Sequence, residues 1–219
     1  MNLETREKIV QFLRRNRVST TEVADCLGKT GAIDGIVPVN PGMYAAGVIK
    51  YVYAHSESNW SVHEQIQDVP PDHIIVMDSF AVNGRALVGE LVTKYLCLYR
   101  QSCALVVLGK MRDANDLIKN RYPVWCSGFT PVGCFNQKQE ETSEIHAAAM
   151  DHFAFFEGAI AICDDTGVVI IPKEHITEEF YCKLEHIEQQ EDIWFDCIDR
   201  KKMNTFETVC LKKYKITNQ

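Results

Sequence analysis

Gly89-Glu90-Leu91-Val92-Thr93-Lys94-Tyr95-Leu96-Cys97-Leu98-Tyr99, followed by Cys103-Ala104-Leu105-Val106-Val107-Leu108-Gly109-Lys110-Met111-Arg112-Asp113-Ala114-Asn115-Asp116, decides the fold class. The first stretch is apolar-rich with no Pro or Gly after its opening, which predicts a helix over 91–99. The second begins as an unbroken apolar run of the kind found in strands covered on both faces, and predicts a strand over 103–108. A helix feeding a buried strand is an αβ unit. Its geometry carries the start of the helix, at Gly89-Glu90, toward the end of the strand, at Arg112-Asp113.

The residue types at that junction suit an anion and a metal. The N–H groups of Leu91 and Val92 fall where a helix begins, without intrahelical partners and at the positive end of the peptide dipoles, an arrangement that receives a carboxylate. Arg112 adds a fixed cation with forked donors. Asp113 and Asp116 are hard oxygen ligands three residues apart, on one face if a helix follows the strand, and suit Mg²⁺ or Mn²⁺. An Arg-Asp pair after a strand is by itself an ordinary helix cap, so its neighbours decide its meaning.

Outward from this unit, the stripe Ile9, Val10, Phe12, Leu13 predicts a helix over 5–14 that ends in the basic Arg14-Arg15-Asn16-Arg17. Ser19 or Thr20 as N-cap, Glu22 in the first turn and Gly28 past the end predict a second helix over 21–27. The β-branched and aromatic segment 42–54 predicts a strand, and 59–68, stopped by Pro70-Pro71, a short helix. Short apolar runs at 74–77, 124–126, 159–163 and 168–171 predict further strands. The last two bracket Asp164-Asp165-Thr166-Gly167, a hairpin turn signal, so the sheet is expected to be mixed. From His175 onward, spaced apolar residues among charges predict two helices. Pattern alone supports a mixed α/β fold, with one domain spanning 1–219: helices over 1–28, a core over 29–172 and a helical tail over 173–219.

Composition narrows the function classes. Hydrophobic residues at 46% and charged residues at 24% are ordinary for a globular chain, and a formal charge of −7 argues against a nucleic-acid partner. No apolar run approaches the ~18 residues of a membrane helix, and the charged opening is unlike a leader, so no membrane partner and a cytoplasmic location are expected. The nine cysteines lie singly, with no Cys-x-x-Cys pair, and read as small packing residues in a reducing compartment. His146 and His152, six apart, do not share a helix face.

The order of the motifs resembles the RraA-like proteins and their 4-hydroxy-4-methyl-2-oxoglutarate aldolases. The resemblance rests on Gly89-Glu90-Leu91, Gly109 to Asp113, Pro123-Val124-Trp125 and Gly128-Phe129-Thr130-Pro131. Upstream, Val18 to Gly28 is similar to the family's entry helix and Pro70 to Asp78 to its first central strand; downstream, Gly158 to Pro172 is similar to its closing hairpin. The resemblance implies a compact β/β/α domain of the swivelling type, assembled as a homotrimer or hexamer. It implies a class II aldolase that uses Mg²⁺ or Mn²⁺ to cleave a 4-hydroxy-2-oxo acid to pyruvate, with oxaloacetate decarboxylation through the same enolate. Asp113 would be the direct metal ligand and Asp116 its outer support. Arg112 would hold the 2-oxo oxygen, and Gly89, Leu91 and Val92 the carboxylate. Glu90 would hold a water that relays a proton, and Glu191 would reach the site of a neighbouring subunit.

The same resemblance implies an alternative, a non-catalytic regulator that binds a ribonuclease or other protein. A methyltransferase, a label also attached to the family, finds no Gly-x-Gly-x-x-Gly loop for its cofactor. This chain departs from the family in four places. Glu90 stands where aspartate is more frequent, 21 residues separate it from Arg112, one more than usual, and Lys110-Met111 replace small residues. The segment 146–156 is also unlike the hairpin expected there.

Overall fold

The computed structural model describes residues 3–215. Two helices come first, α1 (Leu3–Asn16) and α2 (Thr20–Cys26), the latter opened by a capping box in which Ser19 and Glu22 satisfy each other's backbone donors. The strands follow as β1 (Val37–Pro38), β2 (Ala45–His55), β3 (Ile74–Phe80), β4 (Ala104–Met111), β5 (Val124–Phe129), β6 (Ile160–Asp164) and β7 (Gly167–Ile171). Between them lie α3 (Trp60–Gln65), α4 (Glu90–Lys94), α5 (Ala114–Lys119) and α6 (Ser143–Phe156), and α7 (Glu178–Asp199) comes after β7. α4 runs without a break into a wide π-type turn, Tyr95–Tyr99.

The sheet has the order β1-β5-β4-β3-β2-β6-β7. β2 to β5 are parallel, whereas β1, β6 and β7 each run antiparallel to their neighbour, so the sheet is mixed as expected. β2 serves two partners: Ala45–Val48 pairs with β6 and Ile49–His55 with β3. Alternation along the parallel strands sends successive side chains to opposite faces. Ile75, Met77, Leu105 and Val107 pack under Val62 and Ile66 beside α3, Val92 and Leu96 beside α4, and Leu117 of α5. Ile74, Val76, Val106 and Trp125 face Ala161, Cys163, Val168 and Ile170 of the closing hairpin. That hairpin's other side, Ile160, Ile162, Val169 and Ile171, is covered by Ile9 and Leu13 of α1, Val23 of α2 and Phe180 and Leu184 of α7. A helical layer, two β layers and a second helical layer result.

One expectation needs correction. The tail has one long helix, α7, followed by a π-type turn at Phe206–Cys210 and a 3₁₀ turn at Lys213–Lys215, in place of two helices. No Pro or Gly interrupts Glu178–Asp199, so nothing ends it early, and the Tyr214 hydroxyl folds the chain end back onto Gln190 Oε1 at 3.1 Å. The segment 146–156, which the sequence sets apart from the family's hairpin, lies in a helix over 143–156 capped by Thr142. α6 is held by Asp78, 6% exposed, whose Oδ2 receives His152 Nδ1 at 2.6 Å and the Tyr51 hydroxyl at 3.0 Å, and by the stacked rings of Tyr51 and Phe156.

Candidate active site

The αβ unit brings its two ends together. The extended segment 86–88 lies along the end of β4, with Leu87 N–H donating to Lys110 O at 2.9 Å and Arg112 N–H to Val88 O at 3.1 Å. This sets Gly89 against Arg112-Asp113. Asp113 adopts the left-handed conformation (φ 61°, ψ 36°), which aspartate tolerates better than most residues, and its carbonyl opens α5 by accepting from Asp116 and Leu117 N–H. Its carboxylate turns back to α4, where Oδ2 accepts the Glu90 N–H at 3.0 Å.

Two glycines make room for this approach. A Cβ on Gly89 would stand 2.1 Å from Asp113 Oδ2, and one on Gly133 would stand 2.8 Å from Arg112 Nη1. Gly89 has extended backbone (φ −139°, ψ −155°), so close approach and not a special conformation calls for glycine. The Gly89 carbonyl is pinned by Thr93, whose N–H and hydroxyl donate to it at 3.2 and 2.9 Å.

Gly89, Leu91, Val92, Arg112 and Asp113 line one cleft of about 60 Å³, together with Asn59, His63, Gly133, Cys134 and Asn136. Among the described residues, the N–H groups of Leu91 and Val92 have no hydrogen-bond acceptor. Asn59 is 8% exposed; its Nδ2 donates to Leu87 O at 2.9 Å, but its buried Oδ1 has no partner. An unpaired buried oxygen costs about 1–3 kcal/mol, and in a cleft it is an acceptor ready for a donor from outside the protein. A wider concavity of about 890 Å³ lies between Tyr53, Trp60, Gln65 and the segment 138–141. It holds no comparable convergence of free amides, guanidinium and unpaired oxygen, so the smaller cleft is the better candidate.

The other expected site residues lie apart. Glu90 has its N–H engaged with Asp113, while its carboxylate is 3.4 Å from the Tyr122 hydroxyl and does not line the cleft. Burial, then the Glu90 charge, raises the Tyr122 phenol above its ordinary value. Asp116 and Lys110 are exposed. Glu191, on α7, is near Glu22, Asp25 and Asp192 of its own chain, and burial followed by these charges raises its carboxyl. Among the described residues no three His, Cys, Asp or Glu side chains gather as a metal cage. Sequence reasoning missed Asn59, His63 and Gly133. The only local trace of Asn59 was its position at the start of a predicted helix that also carries His63, since Gly133 and the Leu87 carbonyl it bonds come from distant segments.

A mixed β/β/α protein with a cleft at the end of a parallel strand, lined by unbonded amides and a guanidinium, is the class this arrangement defines. The chain belongs to the RraA-like family, Aldolase/RraA, whose model matches residues 20–170. It is 26% identical over 170 residues to a Halalkalibacterium halodurans protein provisionally named a 4-hydroxy-4-methyl-2-oxoglutarate aldolase, covering 75% of this chain and 78% of that one. It is 24% identical over 173 residues, 77% of its length, to protein DlpA of Legionella pneumophila, and spans 28% of that longer relative. Among solved structures, an uncharacterized protein from Pseudomonas syringae superposes with TM-score 0.70 at 21% identity, over 92% of this chain and 96% of its own. RraAS2 of Streptomyces coelicolor, titled an unusual member of the RNase ES inhibitor RraA family, does so with TM-score 0.64 at 18% identity, over 87% and 96%. The family thus takes in proteins named as aldolases and proteins named as ribonuclease inhibitors. No helix among the described residues is long and apolar enough to cross a membrane.

Proposed function

We propose that this protein is a divalent-metal-dependent carbon–carbon lyase that cleaves a 4-hydroxy-2-oxo acid and releases pyruvate. The observation that carries the reading is the convergence of Arg112, Asp113 and the unbonded Leu91 and Val92 amides on one cleft. The amides receive the substrate carboxylate, which fixes the breaking bond relative to Arg112. Asn59 Oδ1 accepts a hydrogen bond from the water beside the C4 hydroxyl. Water takes the hydroxyl proton, the C3–C4 bond breaks, and its electron pair passes to the 2-oxo group as an enolate while C4 leaves as a carbonyl. Arg112 stabilises the charge that grows on the enolate oxygen, a place where a preorganised donor lowers the barrier most. A proton returned to C3 by water completes pyruvate. Loss of CO₂ from oxaloacetate gives the same enolate, so decarboxylation is a second expected reaction.

The donor set fits Mg²⁺ or Mn²⁺ held by few protein atoms. Asp113 presents a half-exposed carboxylate beside the cleft, and Mg²⁺ commonly binds through one or two carboxylates with substrate and water filling its other positions. Bound there, the ion would polarise the 2-oxo group as a Lewis acid. Asp116 would orient water around it from the exposed start of α5, and a homotrimer or hexamer would be needed for Glu191 to serve a neighbour's cleft.

The test is pyruvate release from 4-hydroxy-2-oxo acids with Mg²⁺, in parent and Asp113→Ala, beside calorimetric titration of oxalate with and without Mg²⁺. The expected result is turnover lost in the variant and oxalate binding that requires the metal. Equal turnover by Asp113→Ala removes the assignment, and metal-independent or absent oxalate binding turns the reading toward the ribonuclease-binding regulator.

A further inference from the structure

A second hollow continues from the candidate cleft. It has a volume of about 310 Å³ and is lined by His63, Ile66, Gln67, Leu91, Val92 and Tyr95. His63, Leu91 and Val92 line both spaces, so the two share a wall. Asn59, His63, Ile66 and Gln67 are spaced four, three and one apart, and line one side of the α3 segment from the cleft into the groove. Leu91 is 76% exposed at the mouth, while Val92 and Ile66 form a floor 7% and 2% exposed. No lysine or arginine lines the groove and His63 is its one basic residue, so a carboxylate lying in it would meet no fixed cation.

We propose that the distal half of the substrate is apolar: the site takes a 2-oxo acid whose carboxylate end lies at the Leu91 and Val92 amides beside Arg112 and whose aliphatic or aromatic end lies along the side chains of Ile66, Leu91, Val92 and Tyr95. This rests on the reading of the cleft as a 2-oxo acid site and adds the substrate class. Asn59, whose Oδ1 is unpaired, lines the cleft and not the groove, so its hydrogen bond serves the reacting end and leaves the distal end to apolar contact. The Leu91 side chain and the Val92 floor give the distal group apolar surface at the point where a second carboxylate would lose its water without gaining a counter-charge. Each buried methylene strengthens binding roughly fourfold.

The experiment titrates the full chain, saturated with Mg²⁺, with pyruvate, 2-oxohexanoate and 2-oxoglutarate, none of which carries the hydroxyl that cleavage needs. The expected order is 2-oxohexanoate at least about tenfold tighter than pyruvate, with 2-oxoglutarate no tighter than pyruvate. Gln67→Leu, which keeps the backbone oxygen that Tyr95 bonds, widens the gap, and Tyr95→Asp narrows it to within about threefold, each variant first checked by thermal melting. A preference for 2-oxoglutarate, or equal binding of all three, overturns the proposal. Equal binding together with a concentration-dependent oligomer broken by Leu91→Asp assigns the groove to a second copy of the chain. Tight binding of 2-oxohexanoate without pyruvate release from any 4-hydroxy-2-oxo acid overturns the lyase reading and leaves this one. Pyruvate release with 2-oxoglutarate preferred does the reverse, and binding of none of the three overturns both.

Discussion

Replacing Gly89 by alanine separates a packing account of the site from a backbone account. The added Cβ would stand 2.1 Å from Asp113 Oδ2, 2.8 Å from Arg112 Cγ and 3.0 Å from Asp113 Cγ. Ordinary contact begins near ~3.4 Å, so the carboxylate must retreat by about 1.3 Å. The 3.0 Å bond from Glu90 N–H then opens. A hydrogen bond to a charged group contributes about 1.5–3 kcal/mol, and solvent around the half-exposed Asp113 brings this to about 1–2 kcal/mol. For a chain of this size that is a fall in Tm of roughly 3–6 °C. Misplacement of the Arg112-Asp113 pair by about 1 Å costs on the order of 10²-fold in kcat/KM. Backbone freedom alone predicts the opposite sign for stability: alanine accepts the extended conformation of Gly89 and would stabilise by about 0.4–1 kcal/mol. Thermal melting, oxalate calorimetry and pyruvate release on the alanine variant decide between them. A variant as stable as the parent with unchanged oxalate affinity would refute the steric argument.

Two further outcomes follow from contacts away from the cleft. Asp78→Asn removes the charge that Tyr51, His152 and Ser79 N–H all address, and should lower stability by about 1.5–3 kcal/mol and speed amide exchange across α6; unchanged exchange over 143–156 would show that ring packing alone docks that helix. Glu191 is raised by burial and neighbouring acids, so it binds its proton more tightly folded than unfolded, and the stability it contributes is present in acid and lost as pH climbs through the carboxylate range. Glu191→Gln should therefore raise Tm at neutral pH, with the gap to the parent closing below pH ~4, and a gap independent of pH would assign the effect to something other than this carboxyl.

What could be read from the chain alone was what depends on near neighbours. The strand over 103–108, the capping of α2 by Ser19 and the hairpin turn at Asp164 to Gly167 each carry their signal within a few residues. The approach of Asp113 to Gly89 followed from one αβ unit and was legible for the same reason. α6 was not, because only Ala149 and Phe156 of its residues are buried and its main anchor, Asp78, is 74 positions from His152. Asn59 and Gly133 enter the cleft through long-range packing that no local pattern encodes. The resemblance gives Glu90 a water that relays a proton, and no local pattern shows where its carboxylate lies; the structure places it 3.4 Å from the Tyr122 hydroxyl.

Between Glu90 and Arg112 the chain twice departs from regular geometry by a single residue. The π-type turn bonds Arg100 N–H to Tyr95 O, five residues back, and β4 slips one residue against β5 between Val107 and Lys110. Each irregularity is slack that takes up one amino acid without moving its flanks. A linker of 21 residues therefore delivers Asp113 to the Glu90 amide. Counting positions from acid to arginine is an elastic ruler here, and kinship judged by a fixed count would pass over chains whose folded junction is intact.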